Sequence, residues 1–96
     1  MKFMMTFTIK PQGNQRDDAI ARFQKTGGKP PPGAKLLGRW TKLDFSGGYD
    51  LLESDDPKAL TEFALMCSDL MELTIVPVVE DRELADVLQK TAVRQN

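Results

Sequence analysis

Histidine is absent from this 96-residue chain, and cysteine, tryptophan and tyrosine occur once each, as Cys67, Trp40 and Tyr49. The missing histidine excludes a Ser–His–Asp triad, a Cys–His pair and histidine-ligated haem, and a single cysteine excludes a multi-cysteine zinc site within one chain. No metal site and no cofactor are expected. Long apolar runs are lacking too: Phe3 to Ile9 is too short to span a bilayer and ends in Lys10-Pro11 rather than a small-residue cleavage site. Neither membrane insertion nor secretion is expected, and a lone cysteine fits a reducing interior, so a cytoplasmic location follows. Thirteen basic against fourteen acidic side chains leave a net charge of −1, without the positive surplus that nucleic-acid or anionic-membrane binding requires.

The charge is unevenly placed. Ala19 to Leu43 holds six bases (Arg22, Lys25, Lys29, Lys35, Arg39, Lys42) and no acid, whereas 44–96 holds twelve acids and four bases. The basic segment fits solvated edges of a helix and a strand, a positive mouth for an anionic small molecule, or half of a charge-complementary subunit contact. A chain of this size buries only about 60–65% of its unfolded surface, near the limit of a self-sufficient core, so a partner subunit would help.

Phe3, Met5, Phe7 and Ile9 alternate with Met4, Thr6 and Thr8, which predicts a first strand. Asn14 is placed to cap a helix running to about Lys25, with Asp17 and Asp18 near its positive end, Arg22 spaced to pair with Asp18, and a short apolar stripe of Ala19, Ile20 and Phe23. Gly27-Gly28 ends it, and Pro30-Pro31-Pro32 forms a stiff extended connection. Strands are predicted over 35–43 and 48–54, joined by Asp44-Phe45-Ser46-Gly47 with glycine in the left-handed position. In the first of these, Leu36, Gly38, Trp40 and Lys42 share one face, and Leu37, Arg39, Thr41 and Leu43 the other. Asp56-Pro57 is the clearest helix start, and Leu60, Phe63, Ala64 and Cys67 give that helix its core stripe. Cys67 is accordingly expected to be a buried, inert thiol. Leu73 to Val79 predicts a strand that Pro77 confines to an edge or an end, and a last helix from Asp81 or Arg82 presents Leu84, Val87 and Leu88.

The order βαββαβ plus a C-terminal helix predicts an α+β, ferredoxin-like domain over 1–90, with a frayed tail over 91–96. Both main helices would cover one sheet face. The other face, partly apolar, is expected to meet a second copy, giving a homodimer.

Arg22-Phe23 with Thr26-Gly27, then Pro31-Pro32 ahead of Gly33-Ala34, Gly38-Arg39-Trp40, Glu53-Ser54-Asp55-Asp56-Pro57, Ser68-Asp69-Leu70 and Pro77-Val78-Val79-Glu80-Asp81 resemble a family of small bacterial proteins catalogued as a domain of unknown function, family 3303. The resemblance spans nearly the whole chain and implies the dimeric α/β-barrel superfamily, in which two ferredoxin-like subunits pack sheet to sheet. Other branches of that superfamily include cofactor-free monooxygenases, muconolactone-isomerase-like enzymes and haem-degrading enzymes. The chain departs from the family's pattern at Phe63 and Cys67, where tryptophans are common, and at Thr41, where a histidine is frequent. The last departure removes the obvious proton-transfer group.

Four residues are ligand-binding candidates. Trp40 and Tyr49, on the predicted hairpin, can line a pocket or dimer seam and hold an aromatic ligand, or serve as ordinary core. Arg39 points away from Trp40 and needs a carboxylate, for which Glu53 is the natural protein partner and an anionic ligand the alternative. Glu53, Asp55 and Asp56 form a strand end running into a capped helix rather than a metal site. Asp69, in the last turn of a helix, opposes the dipole and needs a turn amide or a basic residue. These features support a homodimer that binds a small aromatic or anionic molecule; in the enzymatic case it would be cofactor-independent, monooxygenase- or isomerase-like. The alternative is a non-catalytic structural or interaction protein whose dimer is the functional surface. RNA stacking on Phe3, Phe7 and Tyr49 is disfavoured by the acidic balance.

Overall fold

The computed structural model describes residues 1–95, with side chains placed through residue 92. The elements are β1 (Lys2–Ile9), α1 (Gln15–Thr26), β2 (Ala34–Thr41), β3 (Gly47–Ser54), α2 (Pro57–Cys67), β4 (Met71–Val78) and α3 (Asp81–Gln95). The strands form one antiparallel sheet in the order β2-β3-β1-β4, the expected ferredoxin-like arrangement with an added C-terminal helix. α3 covers most of the stretch expected as a tail, of which Asn96 lies outside the described residues.

Alternation along β1 sets the two faces. Met5, Phe7 and Ile9 are buried beneath the helices, and residues directly opposite them in register share their face: Asp50 and Gly48 on β3, Ile75, Leu73 and Met71 on β4. α2 starts where the sequence places it, with Pro57 at the first turn and the Asp56 carboxylate accepting the Lys58 N–H at 3.0 Å. Its stripe seats Leu60 and Phe63 against Met5, Phe7 and Leu52, with Cys67 at the margin. Burying a side chain such as Phe63 contributes about 1.5–3 kcal/mol. β4 is an edge strand, where Pro77 forfeits no ladder bond.

Three local expectations are corrected. The register of β2 shifts between Leu36 and Gly38, and this bulge reverses the facing of everything after it. Leu36 pairs with Leu52 on the helix side, while Trp40 pairs with Tyr49 on the opposite side; they do not share a face. In the hairpin, the residue with positive φ is Phe45 (60°) rather than a glycine, in a turn closed by Asp44, which accepts from the Ser46 N–H and hydroxyl. Those bonds to Ser46 also lower the Asp44 carboxyl below its usual range. Finally, Arg22 does not pair with Asp18: its Nη1 and Nη2 fork onto Asp69 at 2.8 and 2.7 Å. That fork supplies the compensating bond that Asp69 requires at the end of α2.

α3 stands apart. Its amide end is closed by Glu83, which accepts the Glu80 N–H at 3.1 Å, and Glu80 also forms an ion pair with Lys2. Every residue from Asp81 to Ala92 is exposed, including the apolar stripe Leu84, Val87 and Leu88.

Candidate functional site

α1 covers its part of the sheet poorly. Ala19 is its one buried residue, and Phe23, expected on the core stripe, is 54% exposed. The stripe is too short and too small to reach the strands, so a chamber of about 360 Å³ remains between α1, α2 and the sheet. That volume lies toward the lower end of the range for small-molecule sites, roughly 300–1,000 Å³. Its floor is formed by Met5, Phe7 and Ile9 of β1, its roof by Ala19, Ile20 and Phe23 of α1, and its wall by Phe63 and Cys67 of α2. Phe45 reaches it from the hairpin turn, so four of the five phenylalanines line one space from three elements and a turn.

Two arginines hold α1 over this chamber. Arg22 ties the helix to the end of α2, donating to the Met66 carbonyl at 3.1 Å as well as to Asp69. Arg39 rises from β2 to the other end of the helix, donating to the Gly27 and Gly28 carbonyls at 3.2 and 2.6 Å. Gly27 ends α1 in a left-handed conformation (φ 72°), with its N–H on the Phe23 carbonyl at 2.7 Å. Gly28 is also left-handed (φ 62°), and a Cβ there would overlap the Arg39 guanidinium.

The partner of Arg39 is Asp50, not Glu53. Arg39 Nε donates to Asp50 Oδ1 at 2.6 Å and Nη2 to Oδ2 at 3.0 Å, and the Asp50 side chain is 1% exposed. The β2 bulge causes this: beyond it, Arg39 stands opposite Asp50 on the chamber side of the sheet. Both residues line the chamber, as does Thr41.

The other sequence candidates stand on the opposite face. Trp40 and Tyr49 are register partners there, 58% and 41% exposed, with the indole lying across Gly38 and Lys42 placed 6.0 Å from the Tyr49 ring centre. Glu53 also belongs to that face, in register with Lys2 on one side and Lys35 on the other. Of the four candidates, therefore, only Arg39 reaches the chamber. Sequence reasoning missed Asp50, whose one available signal was its place opposite Arg39 in a hairpin whose bulge the sequence does not announce. Burial raises the Cys67 thiol above its ordinary value, in keeping with a low-reactivity wall residue.

Among the described residues no group of three or more Cys, Asp and Glu side chains converges, and no helix is long and apolar enough to cross a membrane. The family described as Domain of unknown function (DUF3303) matches residues 1–92. No curated protein matches the chain.

Proposed function

The chain belongs to the DUF3303 family, and we propose that it is a homodimer whose subunits each bind one small, largely apolar, aromatic-compatible molecule in the chamber beneath α1. The observation that carries this reading is the chamber itself: a partly open, phenylalanine-lined cleft of about 360 Å³ with one buried ion pair in its wall. Apolar clefts of this size with a few convergent polar groups are the usual form of small-molecule sites. The two arginines of the basic segment that line the chamber give little support to an anionic ligand. Arg39 commits four of its five N–H groups inside the protein, and Arg22 is spent on Asp69 and Met66.

The dimer is supported by the uncovered sheet face, where Trp40, Tyr49 and Val76 are 58%, 41% and 51% exposed. A second copy related by a two-fold axis would bury this apolar surface, and the unpartnered stripe of α3 offers further contact area. Sedimentation velocity should give a dimer, and Trp40→Glu a folded monomer; a dimeric Trp40→Glu protein would place the interface elsewhere. For the chamber, ligand-observed NMR against one- and two-ring aromatics should show saturable binding that Ala19→Phe, which fills the space from the roof, abolishes. A folded protein that binds none of them would refute the ligand reading and leave the dimer surface as the functional one.

A further inference from the structure

Accepting that the chamber holds an aromatic molecule, we infer that its ligand is an uncharged hydroxylated aromatic, a phenol-class compound, whose O–H donates to Asp50. The mouth of the chamber is bordered by the exposed side chains of Arg22, Gln24, Thr26, Lys29 and Thr41, and its depth holds few polar groups. Its deep wall contains one carboxylate, Asp50, fully buried on β3 with no donor but Arg39. A carboxylate offers about four lone-pair positions, and the arginine fork occupies two. The remaining two meet no protein donor among the described residues, in a space otherwise walled by Met5, Phe7, Phe63 and Cys67. A buried acceptor with spare capacity in a low-dielectric site rewards a donor and penalises a second negative charge.

The donor side points the same way. Arg39 has one N–H left after Asp50 Oδ1, Asp50 Oδ2, Gly27 O and Gly28 O, so a ligand carboxylate could gain a two-pronged contact only by displacing a backbone carbonyl or the aspartate. It would also stand beside the Asp50 charge. The Lys29 ammonium and the hydroxyls of Thr26 and Thr41 belong to exposed residues at the rim and supply no deep anion site. The four phenylalanine rings favour a flat apolar body. Together these features describe a site for a ring carrying one hydrogen-bond donor.

The test compares four probes that share one ethylphenyl body, on the 96-residue chain at neutral pH: 4-ethylphenol, its methyl ether, ethylbenzene and 4-ethylbenzoate. Titration calorimetry, with ligand-observed NMR for the weak binders, is expected to rank the phenol at least tenfold tighter than each of the others, with binding lost in Ala19→Phe. Asp50→Asn, if it folds, should bring the phenol and its ether to within about threefold; the probe series decides the matter without it. Equal affinities for phenol, ether and hydrocarbon would overturn the Asp50 assignment while leaving the chamber as a binding site. Tightest binding of the benzoate would overturn it in favour of an anion. Absence of binding by all four would overturn the chamber reading and this inference with it, and binding that survives Ala19→Phe would place the site elsewhere.

Discussion

The two helices that cover the sheet are of nearly equal length, 12 residues in α1 and 11 in α2, yet they are attached by different physics. α2 buries Ala59, Leu60 and Phe63 against the sheet, and on its far side only an open surface groove remains, along Leu60, Ala64 and Ile75. α1 buries Ala19 alone and is held by Arg22 and Arg39, through hydrogen bonds to Asp69, Met66, Gly27 and Gly28. Apolar burial is non-directional and fills space; an arginine fork fixes a position without filling it. That difference lets one sandwich hold a packed half and a hollow half. It also explains why the chamber lies beneath α1 and why a site is to be sought there.

The largest effect expected from breaking this contrast is in the packed half. Phe63→Ala should cost about 3–5 kcal/mol, whereas Phe23→Ala, at a ring 54% exposed, should cost less than about 1 kcal/mol. Urea denaturation of the two variants reads the difference directly, and equal losses would mean that α1 is packed as well as α2. Small-to-large changes should keep the same order, α2 above α1. Ala59 is 2% exposed, and a Cβ at Gly33 would already approach its methyl group to 3.0 Å, so Ala59→Phe should destabilise by about 1–3 kcal/mol or more. Ala19→Phe has the chamber to enter and should change stability by less than about 1 kcal/mol.

The packed half was legible in the sequence and the hollow half was not, for a physical reason. Asp56-Pro57 and the spacing of Leu60, Phe63 and Cys67 are local signals, and local signals decide a helix and its buried face. The alternation of Phe3 to Ile9 likewise fixed which residues of β1 point at the helices. The chamber arises from four phenylalanines on three elements and a turn and from a bulge at Leu36/Gly38, neither of which leaves a local mark. Without the bulge, strict alternation still placed Arg39 opposite Trp40, but it set Leu36 and Trp40 on one face and gave no reason to prefer Asp50 over Glu53. The hairpin glycines misled in a similar way. Gly47 and Gly48 are needed because a Cβ would overlap the backbone of the neighbouring strands, while the left-handed position falls to Phe45.

Next in size is the Arg39 attachment. Gly28→Ala places a Cβ on the guanidinium at a left-handed position, which should cost about 1–3 kcal/mol. Its amide-exchange signature should be specific, with faster exchange at the C-terminal turn of α1 and unchanged exchange in α2. An equal loss of protection in both helices would show that the attachment supports the whole sandwich rather than the chamber roof.

The smallest effect, and the one most specific to the suspended helix, is the pH dependence of the Arg22–Asp69 fork. Its side chains are 43% and 58% exposed, so solvent screens the pair and its worth is about 0.2–1 kcal/mol. Hydrogen bonds from Arg22 hold the Asp69 carboxyl below its ordinary value of 3.8, while the guanidinium stays charged throughout. A carboxylate with a lowered folded-state pKa contributes stability that is present above its unfolded value and is lost as the pH falls through the folded one. Asp69→Asn should therefore be less stable than the native chain at pH 7 by about 0.2–1 kcal/mol, and the two should converge near about pH 2. Asp18→Asn removes the i,i+4 neighbour that Arg22 does not use and should leave no comparable pH-dependent difference. If Asp18→Asn and Asp69→Asn behaved alike in urea melts at both pH values, Arg22 would be neutralised along its own helix, and α1 would lose one of its two anchors.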